Sequence, residues 1–225
     1  MKKNLPDDIK LVIFDLDGTL VDAYQAITDS INYMMGKMGR PRQSLRTVTR
    51  SVGHGVDGLI RCFIEEDRAE EALLIFRAHH DNRLHQKLRI MPGARTLLAA
   101  LKNRGCRMAI ASNRPTKFCR IILEQLNIDH YFDWVICGDM VKRPKPAPDV
   151  LRAILKAARV KPFQAVYVGD MTVDVLCGRR ARVFTLAIPT GSSHLAELKA
   201  LDPDIIISGL PKILSLFPCQ KRGKG

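Results

Sequence analysis

From Leu88 onward the chain alternates short apolar runs with stretches of helical periodicity. The apolar runs are CRMAIAS, WVIC, AVYVGD, VFTLAI and DIIIS, and the helical stretches between them run from Pro115 to Leu126, Pro148 to Arg159 and Thr172 to Arg180. Alternation of this kind predicts βαβ units and a mostly parallel sheet, because each strand must cross back over the sheet through a helix before it can pair in parallel. The opening KLVIF reads as one more strand of the same sheet. About ninety residues separate it from the next strand, which is too long for an ordinary crossover.

That intervening stretch predicts helices. Ile27, Ile31, Met34 and Met38 recur at helical spacing, and a second pattern runs from Asp67 to about Leu88 with Leu73, Phe76 and Leu84 as anchors. Gly39, Pro41 and the glycines between 53 and 58 punctuate it. The expected organisation is therefore an α/β core domain of residues 1–20 and 89–218, an α-helical insertion of residues 21–88 that re-enters through the Met91-Pro92-Gly93 turn, and a basic tail of residues 219–225. The methionine stripe reads as core packing.

Composition narrows the classes. At 225 residues and 46% hydrophobic the chain can bury a sizeable core, and the LVIF run is too short for a signal-peptide core or a membrane span. A cytoplasmic protein is expected. The six cysteines form no CxxC pair and sit mostly in apolar segments, which suggests neither a disulfide framework nor a zinc site. A net charge of +13 implies attraction to anions, but the basic residues are scattered and accompany no nucleic-acid motif, so no dedicated nucleic-acid surface and no membrane partner are expected. Arg42, Arg46 and Arg50 recur at i, i+4 and i+8 and would share a stripe if helical. Such a stripe could bind a carboxylate or a second phosphate, or be a solvated face, and His54 between two glycines could face a ligand or only a turn.

The residues just after each apolar run carry the chemistry, because in a doubly wound sheet the ligand crevice lies at the carboxyl ends of the strands. The first run ends in Asp15-Leu16-Asp17-Gly18-Thr19, the second in Ser112-Asn113, the third leads to Lys145, and the fourth ends in Asp170 with Asp174 four residues on. Each piece alone is an ordinary turn or helix-capping choice. Asp-x-Asp-Gly-Thr, however, recurs by chance at roughly one position in 10⁵, and all four pieces follow their strands in order. Carboxylates crowded in this way repel one another unless a cation sits among them, and hard oxygen ligands are what Mg²⁺ prefers.

Asp15-x-Asp17-Gly18-Thr19, Ser112, Lys145 and Asp170-x-x-x-Asp174 resemble the four signature motifs of the haloacid dehalogenase superfamily, and the helical insertion is similar to its α-helical cap. The DLDGTLVD and KPAPD spellings look most like phosphoglycolate phosphatases and their relatives, although Ala23 stands where a serine often follows and Ala181-Arg182 where Ala-Gly is usual. The resemblance implies a doubly wound, Rossmann-like core and a Mg²⁺-dependent phosphatase acting on a small phosphorylated metabolite through an aspartyl-phosphate. It implies Asp15 as nucleophile, Asp17 as general acid and base, and Lys145 as a charge stabiliser. Gly18, Thr19, Ser112, Asn113 and Lys145 would bind substrate, with Arg46 and His54 as further candidates in the cap. Asp15, the Asp17 backbone carbonyl and Asp170 would hold the metal, with Asp174 beside them. Other readings are a pyrophosphatase or phosphomutase of the same superfamily, a dehalogenase (against which Asp17 argues), and a catalytically idle binding module. A monomer or homodimer is expected.

Overall fold

The computed structural model describes residues 4–83 and 86–217. Its main sheet has six strands, all parallel, in the order β5-β4-β1-β6-β7-β8, where β1 is Leu11–Phe14, β4 Arg107–Ser112, β5 Trp134–Cys137, β6 Ala165–Gly169, β7 Phe184–Ala187 and β8 Ile205–Ile206. The strands lie where the apolar runs predict them. Strand β1 is central and fully buried, and its alternate side chains feed two apolar layers. Val12 and Phe14 join Leu97, Leu98 and Leu101 of α5 (Ala94–Asn103) and Phe118 and Ile122 of α6 (Thr116–Gln125). Leu11 and Ile13 join Val150, Leu151 and Ile154 of α7 (Asp149–Ala158) and Cys177 of α8 (Thr172–Ala181). Helices on both faces explain why the strand reads as a continuous apolar run.

Helix α5 is an element that the alternation of runs left out, since its apolar positions follow the Met91-Pro92-Gly93 turn directly with no strand between. Gly93 does sit at φ +80°, as a chain-reversing glycine should.

The chain leaves β1 through Val21–Asp22 (β2) and returns through Arg89–Ile90 (β3), two short antiparallel strands that pair Val21 with Ile90. Between them lie α1 (Tyr24–Lys37), α2 (Leu45–Ser51), α3 (Gly55–Arg61) and α4 (Ala69–Arg83). Ile27, Ile31, Met34 and Met38 are all buried, as their spacing predicts. Helix α4 buries the expected anchor Phe76, but on a stripe with Ala69, Ala72 and His80, while Leu73 is only half-buried. The expected anchor Leu84 and the tail of residues 219–225 lie outside the described residues. A second correction concerns the arginines. Helix α2 begins at Leu45, capped by Ser44, whose Oγ accepts from the Thr47 N–H at 3.0 Å, so Arg42 precedes it and the three-arginine stripe does not form. Among the described residues no helix is long and apolar enough to cross a membrane.

Candidate active site

Four strand ends build the site. Asp15 extends β1 by one more ladder bond, its N–H donating to the Val168 carbonyl at 2.9 Å, and the chain then turns within three residues. Gly18 makes that turn at φ +83°, and a Cβ there would collide with the Tyr24 hydroxyl and the Asp170 carboxylate. The sequence therefore needs glycine on both conformational and steric grounds.

Lys145 is delivered by a clamp. The Asn113 side chain accepts from the Lys145 N–H at 2.8 Å and donates to the Lys145 carbonyl at 2.9 Å, while also donating to the Gly53 carbonyl of the helical segment at 2.9 Å. The Lys145 ammonium donates to Asp15 Oδ1 at 2.6 Å, to Asp174 Oδ1 at 2.7 Å and to the Tyr167 hydroxyl at 3.1 Å. All three of its donors are thereby engaged. Asp174 is fixed in turn by the Tyr167 hydroxyl at 2.6 Å and the Met171 N–H at 3.0 Å.

Burial sets the electrostatics. It would lower the Lys145 pKa, but the Asp15 and Asp174 carboxylates outweigh it and hold the ammonium above its ordinary range. The Asp15 carboxyl is pushed up to about 7, by burial first, with Asp174 and Asp17 adding to it and Lys145 opposing. Burial also raises Asp170, reinforced by the Asp15 and Asp174 charges. One ammonium thus faces three buried carboxylates, a charge imbalance that a second cation would relieve.

The donor set fits a divalent metal ion. Ligand oxygens of Asp15, Asp170 and Asp174 all lie within 4.8 Å of one another. Asp170 Oδ2 and the Tyr24 hydroxyl are buried with no hydrogen-bond partner among the described residues, and a Cβ on either Gly18 or Gly191 would run into both. Unsatisfied buried oxygens beside carboxylates are the arrangement expected around a hard cation.

On the opposite wall stands Asp17. The Arg114 guanidinium grips it through Nε to Oδ2 and Nη2 to Oδ1, both at 2.8 Å, and Arg114 Nη1 lies 3.1 Å from His80 Nε2. Since Arg114 can only donate, His80 must accept at Nε2 and carries its proton on Nδ1, which lies 3.0 Å from Ser30 Oγ. Burial, with Arg114 and His79 nearby, lowers the His80 pKa to about 3, consistent with a neutral ring.

These groups surround one cavity of about 60 Å³. Asp15, Asp17, Ser112, Asn113, Arg114 and Lys145 form its polar wall, and the helical segment contributes a mostly apolar one that includes Ile27, Val56 and Phe76. Not every expected residue is among them. Thr19 is buried behind the site, donating to Asp170 Oδ1 at 2.7 Å, and Gly18 lies beside Asp170 and Tyr24, not on the cavity wall. Arg46 is exposed on α2, Arg50 is paired with Glu197, and His54 is an exposed residue preceding α3; none of them lines the cavity. The anion-reading role expected of Arg46 has no support in this geometry. Sequence reasoning also passed over Arg114 and Tyr24, and set His80 aside because its spacing from His79 and His85 does not suit a metal site. Arg114 was within reach, since it directly follows Ser112-Asn113 at a strand end.

Comparison with known proteins gives a consistent picture. The sequence profile described as haloacid dehalogenase-like hydrolase matches residues 12–188. Phosphoglycolate phosphatase 1 of Pseudomonas aeruginosa is 33% identical over 220 residues, spanning 93% of this chain and 79% of that protein. Among solved structures, a predicted phosphoglycolate phosphatase from Haemophilus somnus superposes with a TM-score of 0.88 at 27% identity, covering 93% of this chain and 98% of the other. A haloacid dehalogenase-like family protein from Streptococcus pneumoniae superposes with a TM-score of 0.85 at 26% identity, covering 92% and 98%.

Proposed function

The chain belongs to the haloacid dehalogenase-like hydrolase family, and from that premise we propose that it is a phosphatase cleaving a small anionic phosphomonoester, phosphoglycolate first among those to test, through an aspartyl-phosphate on Asp15. The observation that carries this reading is the buried Asp15–Lys145–Asp174 cluster opening into a small cavity whose other wall presents Asp17. The relatives named as phosphoglycolate phosphatases supply the choice of first substrate.

Lys145 holds Asp15 by Oδ1, and no described residue donates to Oδ2. In the first step a carboxylate oxygen of Asp15 bonds to phosphorus as the ester P–O bond breaks, and the departing oxygen takes a proton from Asp17. A proton on one Asp17 oxygen weakens one arm of the Arg114 fork while the other arm keeps the carboxyl in place. In the second step water attacks phosphorus, loses its proton to Asp17, and releases phosphate with Asp15 restored. Ser112 donates its hydroxyl to a nonbridging oxygen, and the Lys145 charge, held against Asp15, offsets through space the negative charge on these oxygens. Asp15, Asp170 and the Asp17 backbone carbonyl would hold Mg²⁺, with Asp174 orienting Lys145. Bound there, the ion would supply positive charge for the phosphate oxygens. Residues 21–88 act as a cap whose apolar wall excludes water from the leaving group.

The test is phosphate release from a panel of phosphorylated metabolites with Mg²⁺, run beside Asp15→Asn. Wild-type turnover of a small acidic phosphomonoester, abolished in a folded Asp15→Asn protein, is the expected result. Residual turnover within tenfold of wild type would remove Asp15 as the nucleophile.

A further inference from the structure

If the substrate carries a carboxylate, something in the cavity must receive it, and the arginines of α2 are not there. Among the described residues that line the cavity, Lys145 and Arg114 are the only cations. Lys145 has spent its three donors on Asp15, Asp174 and Tyr167. Arg114 has not. A guanidinium carries five N–H groups, and three are engaged: Nε and Nη2 with Asp17, Nη1 with His80. One N–H therefore remains on each terminal nitrogen of a residue that is only 8% exposed.

This arginine keeps unused donors in a buried setting, where polar groups ordinarily find partners. Its charge is already balanced by Asp17, yet the helical segment supplies a neutral imidazole instead of a second carboxylate to complete its contacts. His80 stacks on Phe76 at 5.0 Å and meets the Phe118 ring edge-on at 5.4 Å, so its ring, and with it Arg114 Nη1, is held from both sides. Asp17 is the proposed donor to the departing oxygen, so a carboxylate attached one carbon beyond that oxygen would fall beside the residue gripping Asp17. Two N–H groups remain on one cation that is held in place before any ligand arrives, and either can donate a charge-assisted hydrogen bond to a carboxylate.

We propose that Arg114, positioned by His80, is the residue that reads the carboxylate of the substrate's leaving group. The inference rests on the phosphomonoesterase reading above and deepens it by naming the specificity determinant. His80 is then a positioning residue, reaching across from the helical segment to the core.

Because Arg114 also touches Asp17, its loss should slow every substrate, and the decisive quantity is a ratio. The experiment measures kcat/KM for phosphoglycolate and for 2-hydroxyethyl phosphate, which has a neutral hydroxymethyl group in place of the carboxylate, in wild type, Arg114→Gln, Arg114→Lys and His80→Leu. Wild type should favour phosphoglycolate. The preference should fall ten- to a hundredfold in Arg114→Gln, in the range for a charge-assisted pair of hydrogen bonds, and by less in Arg114→Lys, which keeps charge without the fork. In His80→Leu the loss should appear in KM for phosphoglycolate more than in kcat. Should Arg114→Gln fail to fold, Arg114→Lys and His80→Leu carry the test alone. Phosphoglycolate preference that survives all the folded variants overturns the role of Arg114 and leaves the phosphatase reading standing. A wild type that turns over both esters alike overturns the carboxylate role directly, and a wild type that releases phosphate from no ester overturns the phosphatase reading as well.

Discussion

Replacing Lys145 by Met should expose how much of the site's stability depends on a single cation. Lys145 is 3% exposed and its ammonium is bonded to two carboxylates, with Asp170 crowded against the same pair. Methionine fills similar volume but leaves the three carboxylates without a counter-charge. Removing one partner of a buried ion pair typically costs about 3–5 kcal/mol, because the remaining charge stays desolvated and unpaired. For a chain of this length each kcal/mol is worth about 2–4 °C, so the metal-free variant should melt on the order of 10 °C below wild type. The carboxylates can recover part of this loss from another cation. Mg²⁺ at about a hundredfold its dissociation constant adds about 2.7 kcal/mol to a folded state that binds it. The variant, with more uncompensated charge, should bind it at least as tightly as wild type. Thermal melts of both proteins in chelator and in Mg²⁺ provide the measurement, with phosphate release expected to be lost in the variant. A variant that melts within about 2 °C of wild type in chelator would refute the buried-charge argument, and melts that Mg²⁺ leaves unmoved in both proteins would refute the metal site.

Three more outcomes are open to direct measurement. Asp17→Asn should slow hydrolysis of an alkyl phosphate by about 10²-fold or more, the usual range for a lost general acid, and nitrophenyl phosphate much less, since nitrophenolate departs without a proton; equal losses would count against the acid role. Activity should require Mg²⁺, vanish in chelator and be inhibited by Ca²⁺, whose larger coordination sphere could take both oxygens of Asp15 and leave none to attack; full activity in excess chelator would contradict this. His80 gives a pH signature: its folded pKa of about 3 lies below the ordinary value, so the unfolded chain binds the extra proton. Its contribution to stability is therefore present at neutral pH and lost as pH falls from about 6.5 toward 3, at up to about 1.4 kcal/mol per pH unit. Denaturant midpoints of wild type and His80→Gln at pH 7, 6 and 5 should converge as pH falls, and parallel curves would mean that the ring is not held neutral.

What could be read in the sequence and what could not divide along a physical line. Strands β1, β4, β6 and β7 were legible because they are buried almost throughout and must be apolar, β5 because its run is apolar although it is a partly buried edge strand, and the residues following four of these strands stood out because the crevice of a doubly wound sheet collects strand ends. Contacts between the helical segment and the core leave no such trace. Asp17 and Arg114 are 97 positions apart, and Arg114 and His80 are 34 apart on separate layers. Nothing in the spacing of either pair announces a partner. The arginines of α2 show the converse error, a regular spacing that implied a shared face where the helix begins only after Arg42. Helical period states which residues could lie together, whereas cap position and burial decide whether they do. His80 illustrates how both kinds of information meet. Its spacing from Ala69, Ala72 and Phe76 marks it as an inward-facing residue of α4, and an inward histidine needs a donor and an acceptor. Ser30 takes one and Arg114 supplies the other. The polar residue on an apolar stripe was therefore the legible sign that this helix does more than pack, and its second partner is what ties the helical segment to the catalytic wall.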